Sequence, residues 1–479
     1  MSNGGRYNRL SDDARRNLCF DNPFLWAAAR EIDYPARDDE KGGRPSTYPL
    51  WVFFLWMVLI HEYGSSRKVE EAFEDTRHGP WTTIRTAATR ELVDRPDLIP
   101  PETPPTRNQF NYALRHHLPA NTDTIAAVIG RRSRDLAASI GLGVDEAPGS
   151  LSRPSTERVA YGDVTVMTAR TKRLRRDART VDPNTGEITN HRYDSDARRH
   201  TTGGGAVVPG LPWAFTHLRG PERNRQVILA VDPIRHDELT EGHLVVNQYL
   251  EAASELPGLV GYAYDRALRG VHLDRLLKAG HIGLVGLHRS KGKPADRYHG
   301  IETHHPKNGP PVDVEIHLVG GAPHLRVFDV DGNQHLQLLR RRRVHRRLNK
   351  RDGDYRMSAE YEVIIDPATG ETDGYVRIRL DQTAKDQLTG YNRPEHVRAF
   401  PETDPVFADI QRPLRSSAES ANRTIDDHLP RERLHHFGFE KNQLSMLAWQ
   451  AYRNAQTEAV FAPNRLHDAD TGPPLQHTA

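Results

Sequence analysis

The sequence predicts a mixed α/β fold, in which a mixed sheet flanked by helices follows an N-terminal helical domain and contains a β-rich insertion. Three observations support this prediction. Residues 42–142 place apolar side chains at helical spacing, residues 159–287 alternate short apolar runs with helical stretches, and residues 312–380 contain runs that alternate with period two. Helical spacing returns from residue 406 to residue 460. This order of elements is typical of a sheet core with helices on its faces.

These patterns divide the 479-residue chain into five segments. We expect a helical domain at residues 1–150, the first part of a sheet-containing core at 156–290, a β-rich insertion at 291–404, the last part of the core at 405–460 and a polar tail at 461–479. A chain of this length is large enough for two or three domains, each with its own hydrophobic core.

The composition indicates a polar protein of a reducing compartment. Cys19 is the single cysteine, which excludes an internal disulfide framework and a cysteine-based zinc cluster. The N-terminus is polar, so we expect no secretory signal. The 66 basic and 64 acidic residues nearly cancel, so the net charge of +2 does not identify a nucleic-acid partner. Adjacent histidines such as His116 and His117 point about 100° apart on a helix and do not form a facing zinc site.

The N-terminal segment contains an apolar run at residues 48–60, which is shorter than the roughly 20 apolar residues of a membrane-spanning helix. We therefore predict a buried helix that Ser46 or Thr47 caps, that has Pro49 in its first turn and that ends at Gly64. Further helices are predicted to start at Ser65 or Ser66 and to cover residues 81–92, 107–118 and 121–140, with a proline-rich loop at 96–105 before Thr106.

The helix at 107–118 carries polar side chains that suit DNA recognition. Arg107, Asn108 and Gln109 in its first turn have the donors and acceptors that bind base edges and phosphates. Short helices separated by tight turns are typical of helix-turn-helix proteins, so residues 1–150 are a candidate DNA-binding domain. An ordinary helical bundle with a polar face is the alternative interpretation, and this segment taken alone favours it.

The core and the insertion are predicted from their apolar periodicity. Apolar runs predict strands at residues 159–167, 212–218, 225–234, 259–264 and 281–287, with helices at 237–255 and 268–279. In the insertion, period-two alternation predicts strands at 312–319 and 324–330, and a hairpin of 361–365 and 375–380 around a turn at 366–370. Three strands followed by two helix–strand pairs are consistent with a mixed sheet flanked by helices.

Three acidic residues are the candidate catalytic and metal-binding groups. Asp163 lies inside the first predicted strand, Asp265 directly follows the fourth, and Glu419 follows Arg415 by four residues on a predicted helix, so that these two side chains share one helix face. A charge in an apolar strand is costly unless a metal ion or a basic partner compensates it. Carboxylates bind hard divalent cations, and two such ions can hold the attacking and leaving oxygens of a phosphodiester.

Other carboxylates compete for the same roles. Asp232 ends the third predicted strand and Asp237 follows it, so each is a candidate for supporting the site or for capping a helix. Glu432 stands between two arginines without apolar support, and Glu440 follows a Gly-Phe pair at the entry to the final helix. We therefore choose Glu419 as the third carboxylate.

Two arginine-rich runs, at residues 170–179 and 340–351, are candidate phosphate-binding segments, because a guanidinium group pairs with two phosphate oxygens. The candidate contacts are Arg173, Arg175, Arg176, Arg340, Arg341, Arg342, Arg343, Arg346 and Arg347. The alternative for each run is a solvated, partly disordered loop.

The order of the three carboxylates resembles the ribonuclease-H-like catalytic core, and more specifically the DDE transposases of bacterial insertion sequences. The distance in sequence between Asp265 and Glu419 leaves room for the β-rich insertion that one large branch of this family has before its catalytic glutamate. The resemblance covers about residues 40–460 and is carried by residues 43–49 with 62–70, 161–165, 264–270, and 415–419 followed by 438–442 and a closing helix.

The resemblance implies a transposase that cuts DNA at transposon ends and joins it to target DNA. It implies that Asp163, Asp265 and Glu419 bind two Mg²⁺ or Mn²⁺ ions in each active site. It further implies double-stranded DNA as the partner, a homodimer assembled on that DNA, no membrane contact, and a cytoplasmic location at the nucleoid.

The chain departs from the family at two positions of the last helix. The family often has a Tyr and a Lys there, where this chain has Arg412 and Asp426. We expect Arg415 to contact the DNA end, with Arg423 or Arg431 in place of the missing residues.

Two other functions remain open on the sequence alone. A domesticated transposase would bind DNA without cutting it, although the presence of all three carboxylates counts against this. A ribonuclease-H-like nuclease would cut without strand transfer. A terminal inverted repeat in the DNA that flanks the gene would separate the last alternative from a transposase.

Overall fold

The computed structural model describes residues 20, 22–34, 46–75, 79–171, 173, 179–183, 185–201, 205–222, 224–235, 240–288, 296–329, 331–366, 369, 371–429 and 433–461. These residues form twelve α-helices and fifteen β-strands. The helices are α1 (Pro23–Ala29), α2 (Leu50–Tyr63), α3 (Ser66–Glu74), α4 (Pro80–Glu91), α5 (Arg107–His116), α6 (Thr122–Ser139), α7 (Glu241–Glu255), α8 (Gly270–Lys278), α9 (Ala384–Thr389), α10 (Arg393–His396), α11 (Pro405–His428) and α12 (Phe439–Phe461). The strands are β1 (Val159–Thr168), β2 (Arg179–Val181), β3 (Ile188–Asn190), β4 (Arg198–Thr201), β5 (Val207–Arg219), β6 (Gln226–Pro233), β7 (Gly261–Ala263), β8 (Ile282–Leu284), β9 (Asp296–His305), β10 (Val312–Val319), β11 (Ala322–Phe328), β12 (Gln334–Leu338), β13 (Arg340–Leu348), β14 (Tyr355–Asp366) and β15 (Glu371–Arg379).

The contacts of the chain group it into two compact units. The first unit consists of residues 1–140, 164–237 and 420–479, and the second of residues 141–163 and 238–419. The N-terminal helices share a unit with β5, β6 and α12, and the β-rich insertion shares a unit with β7, β8 and most of α11.

Helix α2 is the apolar run of the N-terminal segment, and it is buried along nearly its whole length in the first unit. It ends at Gly64, whose φ of 81° is the left-handed conformation that glycine adopts without strain. The predicted caps Ser46 and Thr47 are not used, because Pro49 is the N-cap residue and no side chain caps this end. Among the described residues, no helix is long and apolar enough to cross a membrane.

Helix α12 is tied to the sheet of the first unit by buried amide side chains. Asn454 accepts a hydrogen bond from the backbone N–H of Ile228 at 2.9 Å and donates one to its carbonyl at 2.9 Å. Gln450, one turn earlier on the same helix face, donates to the same carbonyl at 3.0 Å and to the Ser133 hydroxyl of α6 at 3.1 Å. A buried amide without partners would cost about 1–3 kcal/mol, so these bonds fix α12 against β6 and α6.

Strand β1 contributes to both units, with antiparallel strand pairs in the first and parallel strand pairs in the second. Its second half, residues 164–168, belongs to the first unit together with β5, on which β4 and β6 pair antiparallel. Its first half, residues 159–163, belongs to the second unit, where β7 pairs parallel to β1 and β8 pairs parallel to β7. The mixed sheet agrees with the fold class that the sequence predicts.

The insertion forms a seven-stranded antiparallel sheet in the order β12-β11-β10-β9-β15-β14-β13. Its buried side chains belong to the same hydrophobic core as those of β1, β7, β8 and α11, and this core includes Tyr161, Leu284, Met357, Ile378 and Leu414. Because burial of apolar surface is the main driving force of folding, the insertion contributes to holding the strands and the helix that carry the candidate site.

Most strands that alternate in hydrophobicity were predictable, whereas the charged ones were not. Strands β10 and β11 match their predicted ranges within two residues. Strands β14 and β15 form the predicted hairpin but begin six and four residues before the predicted strands at 361–365 and 375–380. Strand β13 corrects the interpretation of residues 340–348 as a solvated loop, since its backbone pairs with β14. It is an edge strand, and arginines at a sheet edge disfavour pairing with a further strand.

Candidate active site

Asp163 and Asp265 lie at equivalent positions beyond a parallel strand pair. In the ladder between β1 and β7, Tyr161 is opposite Ala263, and each aspartate follows two residues later. Because this is the last pair of the ladder, both aspartates lie two residues beyond the point where β1 and β7 stop pairing. Strand β1 continues beyond Asp163, so the first aspartate lies within its strand and the second just after the end of β7.

Two hydrogen bonds of the backbone N–H groups contribute to the conformation of the turn that carries Asp265. The Asp265 Oδ1 atom accepts the backbone N–H of Ala267 at 2.7 Å. The preceding residue, Tyr264, is 3% exposed and its backbone N–H points to the carbonyl of Leu284 on β8 at 3.4 Å. The carboxylate therefore stands on a turn that is anchored to the sheet.

Glu419 lies on α11, which is anchored by apolar side chains. Leu414 and Ala418 of this helix are buried in the core of the second unit. Arg415 and Glu419 form the predicted pair on one helix face, with 3.1 Å between Nε and Oε1, and their side chains are 63% and 64% exposed. An exposed pair of this spacing contributes only about 0.3–0.5 kcal/mol, so a cation and a phosphate could replace it at little cost.

The three candidate carboxylates line one cleft of the second unit, about 440 Å³ in volume including space open to solvent. Its lining consists of Tyr161, Gly162, Asp163, Ala263, Tyr264, Asp265, Gln411, Leu414, Arg415, Ala418 and Glu419. Residues from three distant parts of the sequence thus meet at one place, with one arginine among three acidic residues.

A fourth carboxylate, which the sequence did not indicate, lies close to this cleft. Glu241 is the first residue of α7, and its Oε1 atom accepts the hydroxyl of Tyr264 at 2.8 Å. Burial raises the pKa of Glu241, the hydrogen bond from Tyr264 lowers it, and the negative charges of Asp265 and Asp163 raise it again. The helix was predicted to start at Asp237, so Glu241 was expected well inside the helix instead of at its first position.

The carboxylates of the cleft are of the chemical type that binds a hard divalent cation. Mg²⁺ and Mn²⁺ prefer carboxylate oxygens, which Asp163, Asp265 and Glu419 supply. The repulsion that Glu241 experiences from the two aspartates would be relieved by positive charge placed among them. Within the described ranges, no three His, Cys, Asp or Glu side chains are grouped closely enough to hold a metal ion. Metal binding here therefore stays a prediction.

The arginines of β13 divide into paired and exposed side chains. Arg340 pairs with Glu362 at 2.6 Å, and Arg341 pairs with Asp404 at 2.6 Å with both side chains less than 10% exposed. The guanidinium group of Arg341 is therefore buried, so this residue does not have the exposure that a phosphate contact requires. The remaining exposed side chains are Arg342, Arg343, Arg346 and Arg347, and of these Arg346 donates to the carbonyl of Gly280 at 3.3 Å. The other three form no ion pair with any residue that the structure describes.

Of the three predicted DNA-reading side chains in the first turn of α5, two contact other residues of the protein. The side chain of Gln109 accepts the Thr106 N–H at 2.8 Å and so forms a capping box with that residue. Arg107 lies 3.7 Å from Glu70, whereas Asn108 is exposed. The sequence pattern that indicated base recognition is thus partly a helix-capping pattern.

The other candidate DNA contacts are described only in part. Arg173 and Arg423 are exposed. Arg175, Arg176, Arg431 and the rival carboxylates Asp237 and Glu432 lie outside the described residues. The rival Glu440 is exposed in the first turn of α12.

Comparisons with known proteins do not assign the chain to a family. No protein-family model matches it, and a search of curated proteins returns no significant match.

Proposed function

We propose that this chain is a DDE-type transposase that cleaves DNA at transposon ends and joins the freed 3′-hydroxyl to target DNA. The observation that carries the proposal is that Asp163, Asp265 and Glu419, far apart in sequence, line one cleft. Their elements also agree with the resemblance. Asp163 is on the first strand of the sheet, Asp265 directly follows β7, and Glu419 is on a helix that comes after the β-rich insertion.

In this proposal the three carboxylates hold two divalent cations and the neighbouring cation holds DNA. Asp163 and Asp265, which line the same cleft, would share the metal site, and Glu419 would complete the coordination from α11. When bound, Mg²⁺ or Mn²⁺ would supply activation of the attacking oxygen and neutralise charge on the leaving oxygen. Arg415, released from its exposed pair with Glu419, would bind a phosphate of the DNA end.

The DNA would also contact basic residues outside the cleft. Arg342, Arg343 and Arg347 on the edge strand β13 would bind phosphates without reading sequence, since a guanidinium recognises the backbone equally in any duplex. Helix α5 with Asn108 is the proposed base reader. Assembly as a homodimer on DNA is part of the proposal through the family resemblance.

The proposal is tested with the full chain, a plasmid that carries the DNA flanking both sides of its gene, and Mg²⁺. We expect strand cleavage at the flanks that leaves 3′-hydroxyl ends, followed by products joined to a second plasmid. Asp163→Asn and Asp265→Asn should each lower the cleavage rate by about 10³-fold or more, since several kcal/mol of transition-state stabilisation would be lost. DNA binding in a gel-shift assay should stay nearly unchanged.

The matched control is Asp409→Asn, because Asp409 is exposed on the same helix as Glu419 and does not line the cleft. It should cleave as the wild type does. Full nicking activity in Asp163→Asn would contradict the proposal. Cleavage without joined products would identify a nuclease without strand transfer, and sequence-specific binding without cleavage would identify a DNA-binding protein that has lost the reaction.

A further inference from the structure

We infer that Glu241 is a positioning residue for the second carboxylate of the cleft: by accepting the hydroxyl of Tyr264, it fixes the turn that carries Asp265. The inference rests on the proposed function, because that function assigns Asp265 to a divalent cation. It adds a residue and a hydrogen bond that neither the sequence pattern nor the resemblance indicates.

The contact is a single hydrogen bond made by the residue that directly precedes Asp265. The Tyr264 hydroxyl donates to Glu241 Oε1 at 2.8 Å, and Tyr264 both lines the cleft and directly precedes Asp265. Its ring stacks on Tyr262 with 5.8 Å between centroids. Since the backbone N–H of Tyr264 makes a long bond of 3.4 Å to Leu284, the side-chain bond to Glu241 is the shorter of these two anchors.

The helix end that carries the acceptor is closely packed. Gly242, the residue after Glu241, lies so close to α8 that a Cβ atom there would be 2.3 Å from the Cε1 atom of His272. The ring of His272 is in turn fixed, because its Nδ1 atom accepts the backbone N–H of Arg269 at 3.0 Å. The first turn of α7 therefore packs closely against α8, and the hydrogen bond to Glu241 connects Tyr264 to this packed helix end.

A negative charge on Glu241 strengthens its hydrogen bond to Tyr264, although that charge is repelled by Asp163 and Asp265. A hydrogen bond to a carboxylate is roughly twice as strong as one to a neutral acceptor. The first turn of a helix also favours a negative charge, which offsets part of the repulsion from Asp163 and Asp265. A strong hydrogen bond from Tyr264 to this helix end would hold the turn that carries Asp265 in place despite the repulsion between neighbouring carboxylates.

The test is a double-mutant cycle with Mn²⁺ alone as the probe, measured by calorimetric titration of the full chain without DNA. Tyr264→Phe should weaken Mn²⁺ binding about tenfold in the wild-type background, as loss of a supporting hydrogen bond typically does. Tyr264→Phe should weaken Mn²⁺ binding by a similar factor in the Glu241→Gln background, because glutamine keeps an acceptor for the tyrosine hydroxyl. Tyr264→Phe should not weaken Mn²⁺ binding further in the Glu241→Ala background, because the acceptor is already absent there. Glu251→Ala, at an exposed position of the same helix, is the control and should bind as the wild type does.

Thermal unfolding in EDTA establishes that each variant is folded, and Glu241→Met, similar in length but without an acceptor, replaces Glu241→Ala if that variant is not. Unchanged Mn²⁺ affinity in Tyr264→Phe overturns the inference. The inference is also overturned if Tyr264→Phe lowers Mn²⁺ affinity as much in the Glu241→Ala background as in the wild type. Both of these results leave the proposed function standing. If the wild type binds no Mn²⁺, the proposed function fails and the inference fails with it.

Discussion

The buried ion pair between Arg341 and Asp404 leads to a prediction about how the insertion supports the site. Arg341 on β13 donates through Nε to Asp404 at 2.6 Å and through a terminal nitrogen to the carbonyl of Ser152 at 2.8 Å. Its guanidinium group also lies 4.1 Å from the centre of the Phe400 ring. Asp404 uses its other oxygen to accept the backbone N–H of Val406 at 2.9 Å, in the first turn of α11. The arginine thus connects the insertion to the start of the helix that carries Glu419.

Replacing Arg341 with alanine would leave the Asp404 carboxylate buried without its cation. The side chains of the pair are only 7% and 9% exposed, so water cannot replace the missing partner. Breaking a buried pair in this way typically costs about 3–5 kcal/mol. We therefore expect the free energy of unfolding of the second unit to fall by about this amount.

Urea unfolding followed by far-UV circular dichroism is the suitable assay. All six tryptophans lie in the first unit, so tryptophan fluorescence would not report directly on the second unit, where the change is made. The matched control is Arg342→Ala, which removes an exposed neighbour and should change stability by no more than about 0.5 kcal/mol. Equal stabilities of the two variants would refute the assignment of Arg341 as a structural residue.

Three further predictions concern the third carboxylate, the exposed arginines and a buried histidine. Glu419→Gln should remove DNA cleavage whereas Glu440→Gln should not, and the reverse result in a cleavage assay would show that the third carboxylate is misassigned. Replacing Arg342, Arg343 and Arg347 together with alanine should flatten the plot of log affinity against log salt concentration by up to about 0.9 for each arginine that binds a phosphate, whereas an unchanged slope would leave them as solvated edge residues. Burial lowers the pKa of His217 to about 3, so between pH of about 6.5 and 3 the unfolded chain binds a proton that the folded chain does not. Stability should therefore fall as the pH falls through this range, by up to about 1.4 kcal/mol per pH unit, and His217→Gln should reduce this slope in urea titrations at pH 7 and pH 5.

The elements with clear periodicity were predictable from the sequence. Helix α5 begins after its predicted cap Thr106, and β1 spans nearly its predicted range, because apolar spacing and capping are local properties. The pairing of Arg415 with Glu419 also follows from local helix geometry. The three carboxylates could be chosen from such local contexts together with the family resemblance.

The remaining features depend on interactions between residues distant in sequence. The sequence identified the arginines of β13 as candidate phosphate contacts or a solvated loop, and only their pairing with β14 makes them a strand. No local sequence pattern identifies Glu241, since its proposed role depends on a hydrogen bond from Tyr264, which directly follows β7. The grouping of the insertion with β7 and α11 in one core is likewise a property of tertiary packing, which local patterns do not encode.

The proposed function is tested most directly by locating bound metal in a crystal of the protein with Mn²⁺ and a DNA end, by anomalous scattering. We predict two peaks about 4 Å apart in the cleft, each bound by oxygens of Asp163, Asp265 or Glu419. Both peaks should disappear in Asp163→Asn. Mn²⁺ bound elsewhere while DNA occupies this cleft, or Glu419 more than about 10 Å from Asp163 in that complex, would contradict the proposal.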